Sequence, residues 1–317
     1  MKIVASAGKD DIAVVYIAEF ENGTLVECVE AVQPPVPREQ KWVIMVSTLY
    51  GCPVGCAMCD AGGYYHGRVS KENLLAQIDY LIRRRFPDGG VPCKQFKIQF
   101  ARMGDPAFNP AVLDVLESLP ELYQAPGLLP SISTIAPAGT GQFFEKLRLI
   151  KCEKYSGGRF QFQFSIHTTD EILRDRIIPA KKWGFAEMAE YGRSFYEKGD
   201  RKITLNFALM ENVPVDPDVL LGHFSPDIFL IKITPVNATY HATEHGLASY
   251  IDPLRAGEDY SIVNELRAAG YQVIVSIGEA EENYIGSNCG QFVARHIRAG
   301  KSVQGAYTYP MLPANGS

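Results

Sequence analysis

Cys52-Pro-Val-Gly-Cys56-Ala-Met-Cys59 stands a few residues beyond the apolar, β-rich run Trp42-Val-Ile-Met-Val-Ser47. From that run onward the sequence alternates between two periods. Runs with strand character cover 42–47, 95–101, 131–135, 160–167, 203–209 and 228–234. Runs with helix character cover 71–84, 110–118, 141–149, 185–198 and 216–223. In 71–84, Leu74, Leu75, Ile78, Leu81 and Ile82 recur at the helical period. Repeated βα units of this length predict a parallel sheet curled on itself. The class expected is α/β, a partial (β/α)6 barrel. The cysteine loop then follows the first barrel strand, where barrels carry their functional loops. A last unit, 262–269 and 272–275, leads into a Gly/Asn/Glu-rich loop ending at Cys289.

Residues 1–41 read separately, as a β-hairpin extension and linker before the barrel of 42–317. Ile12–Phe20 and Leu25–Val32 are its strands, joined at Glu21-Asn22-Gly23, and Pro34, Pro35 and Pro37 break the pattern after them.

Bulk properties exclude several classes. The chain has 317 residues, 46% hydrophobic and 21% charged, the balance of a globular protein. No apolar run nears the roughly 20 residues that span a bilayer, and the N-terminus lacks a signal-peptide pattern. A cytoplasmic protein without membrane contact is expected. The net charge of −5 weighs against a dedicated nucleic-acid binder, although Arg83-Arg84-Arg85 could form a local basic patch. Seven cysteines, three of them within eight residues, suit metal better than a disulfide framework.

The spacing C-x3-C-x2-C lets Cys52, Cys56 and Cys59 ligate three irons of a [4Fe–4S] cluster. The fourth iron is then open to the amino and carboxylate groups of S-adenosylmethionine. An electron from the reduced cluster would cleave the sulfonium and give a 5′-deoxyadenosyl radical. The competing reading is a structural zinc site, with His66 as the fourth ligand.

Val46-Ser-Thr-Leu-Tyr-Gly-Cys52 through Cys59 closely resembles the RlmN/Cfr family of radical S-adenosylmethionine methyltransferases. The resemblance continues in order along almost the whole chain. It includes Met103-Gly-Asp-Pro106 with Asn109, Ser131-Ile-Ser-Thr-Ile135, Phe164-Ser-Ile-His167, Leu173-Arg-Asp-Arg176 with Pro179-Ala-Lys-Lys182, Ile231 to Asn237, and Asn288-Cys-Gly-Gln-Phe292. Leu25-Val-Glu-Cys-Val29 resembles the family's preceding hairpin.

The resemblance implies that Gly104 and Asp105 meet the amino group of S-adenosylmethionine, with Asp105 where the family has Glu. It places Ser133 (or Ser131), Ser165 and His167 near the cofactor's polar groups, and Asn237 at its ribose or adenine. It makes Cys289 the cysteine that is methylated and then donates its carbon, and Glu27 the general base. A reductant such as flavodoxin or ferredoxin is the implied partner. The bland alternatives are a core histidine at 167, an ordinary turn at Asp105-Pro106, a solvated Glu27 and an inert thiol at 289.

Two departures shape the functional expectation. Where the family carries a cysteine that resolves the protein–substrate adduct, this chain has Met45, and a thioether cannot form that disulfide. Cys28, Cys93 and Cys152 are the remaining thiols. The family's N-terminal RNA-gripping domain has no counterpart in the short stretch before the barrel. The expectation is methylation of an unreactive carbon through Cys289, on a small molecule or peptide in preference to RNA. The alternatives are an RNA adenosine methyltransferase, a radical enzyme with Cys289 as hydrogen-atom donor, and a non-catalytic cluster protein.

Overall fold

Three antiparallel strands open the chain: β1 (Lys2–Lys9), β2 (Ala13–Glu19) and β3 (Leu25–Ala31). β3 pairs antiparallel with β4 (Lys41–Val46), the first strand of the parallel set. The hairpin β5 (Leu49–Gly51) and β6 (Tyr65–Arg68) follows, then α1 (Lys71–Arg85), β7 (Gln95–Phe100), α2 (Ala111–Leu122), β8 (Leu128–Thr134), α3 (Gly141–Lys154) and β9 (Gln161–Ser165). The chain continues through α4 (Glu171–Ile177), α5 (Phe185–Phe195), β10 (Ile203–Leu209), α6 (Pro217–His223), β11 (Phe229–Pro235), α7 (Tyr240–Glu244), α8 (Ser261–Ala268), β12 (Val273–Val275), α9 (Ala280–Ile285), α10 (Val293–Ala299) and β13 (Leu312–Pro313). The computed structural model describes residues 1–21, 23–252 and 259–313. Asn22, in the expected turn Glu21-Asn22-Gly23, lies outside them.

One sheet runs in the order β12-β11-β10-β9-β8-β7-β4-β3-β2-β1-β13, with β4 and β7 through β12 parallel. Residues 1–41, which the sequence sets apart, form strands continuous with it. β1 escapes sequence reading because Lys2–Lys9 shows no clean apolar alternation and contains Gly8. Among the described residues no helix is long and apolar enough to cross a membrane.

Strand alternation gives the sheet two unlike faces. The convex face carries Trp42, Ile44, Phe96, Ile98, Phe100, Ile132, Phe164, Leu205, Phe207, Ile231 and Ile233, all buried under the helices. Trp42 stacks on Phe96 at 4.9 Å between ring centroids. Each such side chain contributes roughly 1.5–3 kcal/mol by burial. α1 shows how the helices are fixed there. Ser70 caps its first turn by accepting from Asn73 N at 3.2 Å, and Leu74, Ile78, Leu81 and Ile82 face the sheet. At its C-terminus Arg85 meets Glu30 of β3 at 2.7 Å and Asp10 at 2.7 Å, and Arg83 meets Asp79 at 2.8 Å. The Arg83-Arg84-Arg85 patch is thereby neutralised by carboxylates.

The concave face is polar. Register places Met45, Gln99, Ser131 and Gln161 across one row, and Ser165, Asn206 and Lys232 across another. α9 and α10 pack against β1, β2 and β3 and bring the C-terminal segment back over this face. The result is a mixed α/β architecture on a large parallel sheet, with which the partial barrel expected from the βα repeat is consistent.

Candidate active site

The cysteine loop is pinched at its neck. β5 and β6 pair antiparallel on either side of 52–64, and Cys52 N donates to Tyr64 O at 3.0 Å. Gly51 sits at φ +85°, and a Cβ there would lie 2.2 Å from Tyr64 O, so only glycine closes the neck. Cys59 N donates to Cys56 O at 3.0 Å, Ala57 N to Ile177 O at 2.9 Å and Asp60 N to Gly290 O at 2.7 Å. The loop is thus tied to α4 and to the Cys289 segment.

Cys52, Cys56 and Cys59 are half-buried. Burial pushes the Cys52 thiol up to about 11, while the amides of Val54, Asp105 and Gly55 point at its sulfur and favour the thiolate. Burial raises Cys56 and Cys59 further. At Cys56 the charges of Cys59, Cys52, Asp105 and Cys289 add to it. Four thiols and a carboxylate therefore converge on one region. Such a set stays neutral alone and ionises against bound cations. Yet no three His, Cys, Asp or Glu side chains among the described residues close on a single point as one ion requires. A tetrahedral zinc site needs that convergence. A cubane cluster does not, because each thiolate serves a different iron. His66, the fourth ligand of the zinc reading, is exposed on β6. The donor set fits a [4Fe–4S] cluster on Cys52, Cys56 and Cys59.

Beside the loop, Thr48 and Leu49 amides donate to Met103 O at 2.8 and 3.1 Å. Gly104, at φ +89°, packs so closely that a Cβ would stand 2.4 Å from Leu49 Cβ. Asp105 is buried, and its carboxylate accepts from Thr134 Oγ1 at 2.8 Å, Ile135 N at 2.7 Å and Ala107 N at 2.9 Å. Burial still pushes it up to about 6. These bonds use the carboxylate to fix the end of β8. Asn109 likewise latches Thr48 O and Val69 O, both at 2.7 Å.

The sheet between Asp105 and β11 offers unsatisfied polar atoms. Ser131 Oγ, Ser133 Oγ and Asn206 Oδ1 are buried without partners. Buried polar groups are ordinarily paired, so this row suits a polar ligand such as S-adenosylmethionine. Ser165 lies opposite Asn206. His167 holds φ +69°, uncommon for a residue with a side chain. Its Nδ1 accepts from Ala208 N at 3.0 Å, which leaves the proton on Nε2. Burial, helped by Arg174, brings the imidazole down to about 4, so it is neutral.

Cys289 is exposed at the mouth of the site, its Sγ 3.9 Å from Ala101 O. Asn237 Nδ2 donates to its carbonyl, so the side chain expected at the ribose or adenine holds the Cys289 loop. Arg102, fully buried, donates to Gly286 O at 2.7 Å, Ser287 O at 3.3 Å and Asn288 O at 2.7 Å. The same guanidinium meets Glu27 Oε2 at 2.6 and 3.0 Å, and Glu27 Oε1 accepts from Ala294 N at 2.8 Å. Glu27 has no exposed surface. Burial raises its carboxyl against the pull of Arg102. The residue expected as general base is thus enclosed in a clamp on the Cys289 segment. Asp60, buried next to Cys59, accepts from the amides of Tyr240 and His241, from Tyr307 Oη (each 3.0 Å) and from Arg295 at 2.8 Å.

The structure therefore gathers Cys52, Cys56, Cys59, Gly104, Asp105, Ser133, Ser165, His167, Asn237 and Cys289 around one region and sets Glu27 behind it. None of the three thiols outside the cluster loop reaches Cys289 as a resolving partner. Cys28 is buried on the convex face, Cys93 is buried ahead of β7, and Cys152 lies on α3 at 3.5 Å from Glu197. Met45 faces the concave side, opposite Gln99. Sequence reasoning passed over Arg102, Asp60, Lys97 and Lys232. The signal available was a charge set within an apolar strand, as in Phe96-Lys97-Ile98 and Ile231-Lys232-Ile233, or beside a motif, as in Cys59-Asp60 and Arg102-Met103-Gly104.

No protein-family model matches the chain. Among curated proteins it is 28% identical over 235 residues to one from Desulfitobacterium hafniense strain Y51, covering 71% of this chain and 63% of the relative. It is 28% identical to one from a second strain of D. hafniense (87% and 74% covered) and 27% identical to one from Thermus thermophilus (67% and 56%). All three carry the name "Probable dual-specificity RNA methyltransferase RlmN". The chain thus spans from just over half to about three quarters of these relatives. Among solved structures, a radical SAM methyltransferase from Sphaerobacter thermophilus superposes with a TM-score of 0.66 at 18% identity, covering 92% of this chain and 80% of the other, which supports the fold. With the ordered motifs and the converging thiols, these likenesses support an RlmN/Cfr-like radical S-adenosylmethionine family for the chain.

Proposed function

We propose that this protein is a radical S-adenosylmethionine methyltransferase in which Cys289 carries the methyl group to an unreactive carbon. The observation that supports this most is the electrostatic convergence of Cys289 with the cluster cysteines, on a loop held by Arg102, Asn237 and the Asp60–Gly290 bond. The [4Fe–4S] cluster on Cys52, Cys56 and Cys59, when bound, supplies the electron that cleaves S-adenosylmethionine to a 5′-deoxyadenosyl radical. Ser131, Ser133 and Asn206 offer unpaired polar atoms to the cofactor, and neutral His167 offers Nε2–H. Asp105 acts as a positioning residue for the wall beside the loop. Glu27 and Arg102 position Cys289. Cys289 Sγ would take the methyl carbon as the sulfonium S–CH3 bond of bound S-adenosylmethionine breaks, with its thiol proton passing to water and S-adenosylhomocysteine as the leaving group.

The relatives' names put RNA forward as the acceptor, ahead of the small molecule or peptide that the acidic sequence favours. A phosphate-bearing small molecule is the second reading, supported by the cationic interior described below.

The deciding experiment reconstitutes the protein without oxygen, adds S-adenosylmethionine and weighs the Cys289 peptide. One added methyl group is expected, absent in Cys289→Ala, with S-adenosylhomocysteine released. An unmodified Cys289 in protein that still makes 5′-deoxyadenosine would replace methyl transfer by direct hydrogen abstraction.

A further inference from the structure

The concave face is polar but its charges are unbalanced. Lys97 on β7 and Lys232 on β11 stand in mid-strand on the interior side, set there by the registers Val43–Lys97–Leu129 and Ser165–Asn206–Lys232. Both lie deep in the sheet yet keep part of their surface accessible. Other buried or half-buried cations have partners: Arg85 meets Glu30, Arg102 meets Glu27, Lys151 meets Asp200, Arg295 meets Asp60, and Arg174 donates to Trp183 O at 2.9 Å. Among the described residues Lys97 and Lys232 have no such ion pair and no hydrogen-bond partner.

The charge of Lys232 reaches Lys97. After burial, the charge of Lys232 is the largest influence lowering Lys97, followed by Lys41 and Arg201. Lys232 is lowered by burial and by Lys41, and supported by Cys289 and Glu282. Glu282 is itself held toward its neutral form by burial. Gln99 and Asn206 add neutral hydrogen-bonding groups on the same face. Like charges gathered in a recess cost free energy that an anion between them offsets. The influence of Cys289 on Lys232 turns the Lys232 end of this recess toward the proposed methyl carrier.

We propose that Lys97 and Lys232 form an oxyanion subsite that holds a phosphate group of the substrate inside the partial barrel. This rests on the methyl-transfer reading and adds the substrate's chemical class to it. The phosphate has two sources, a small phosphorylated molecule or the backbone of an RNA whose target nucleotide enters the barrel.

The test uses cluster-reconstituted protein at pH 7 and inorganic phosphate as probe, with ionic strength held constant by chloride. Wild-type protein is expected to show a saturable rise in unfolding temperature. Lys97→Met and Lys232→Met should each weaken the apparent affinity at least tenfold, and Lys97→Arg should retain it. Removing an unpaired charge does not threaten folding, and circular dichroism verifies it. Equal responses in wild type and Lys97→Met, or no saturable response, would overturn the subsite. Competition identifies the source. Displacement of phosphate by adenosine 5′-monophosphate alone supports a small substrate, and displacement by a short oligoribonucleotide supports RNA. Methylation of Cys289 without phosphate binding removes the subsite and leaves the methyl carrier standing. Phosphate binding with an unmodified Cys289 does the reverse.

Discussion

At the scale of single residues, the structure separates the thiols proposed to do chemistry from side chains that hold others in place. Cys52, Cys56 and Cys59 were legible in the sequence because their spacing needs no knowledge of packing, whereas Cys289 was legible only through the family resemblance of its loop. Glu27 was legible as a residue but not as a role, since its neighbours come from 75 and 267 positions away. Lys97 shows the opposite case, a residue marked in sequence only as a charge within an apolar strand, whose setting has a measurable consequence. Burial, aided by Lys232, brings it down to about 7 from an ordinary 10.5. Above pH 7 the folded protein has released a proton that the unfolded chain still holds. Unfolding then takes up a proton, so rising pH favours the folded state. Stability of wild type relative to Lys97→Met is therefore expected to increase from pH 7 to about pH 8.5 in urea unfolding. Thiols raised by burial lower the stability of both proteins once unfolded cysteines ionise, and the difference cancels them. A flat difference across that range would mean that Lys97 stays charged in the folded protein.

At the scale of elements, βα periodicity located the parallel strands within a few residues, because each strand buries an apolar row under helices. It could not reveal that β3 extends the same sheet, since hydrogen-bonded neighbours are chosen by edges and not by periodicity. Nor could it show that α10 docks on β3 through Glu27. That docking makes a specific prediction. Glu27 and Arg102 are both fully buried, so Arg102→Met leaves a carboxylate without its partner and is expected to cost about 3–5 kcal/mol in urea unfolding. Glu27→Leu combined with Arg102→Met should recover most of that loss, because an apolar pair replaces the buried charges. A double variant no better than the single would show that the guanidinium's bonds to the carbonyls of 286–288 carry the stability instead.

At the scale of the whole molecule, the site is closed by its most distant contacts. The bonds of Arg102 to Gly286 and of Glu27 to Ala294 join positions 184 and 267 apart, while the parallel strands pair with near neighbours in sequence. Segments held by few contacts open at lower free energy than a sheet core. Amides of 286–294 are therefore expected to exchange hydrogen well before those of β7 through β10. Exchange of both sets at one rate would mean that the segment opens only with the whole fold. The same long reach bears on how the protein is made. The three cluster cysteines leave the ribosome far ahead of Cys289, and at ~5–20 residues per second that lead lasts on the order of 10–50 s. During that interval the iron–sulfur loop is uncovered. Delivery of the cluster during translation, before the last segment arrives to shut the entrance, is the maturation route this architecture favours.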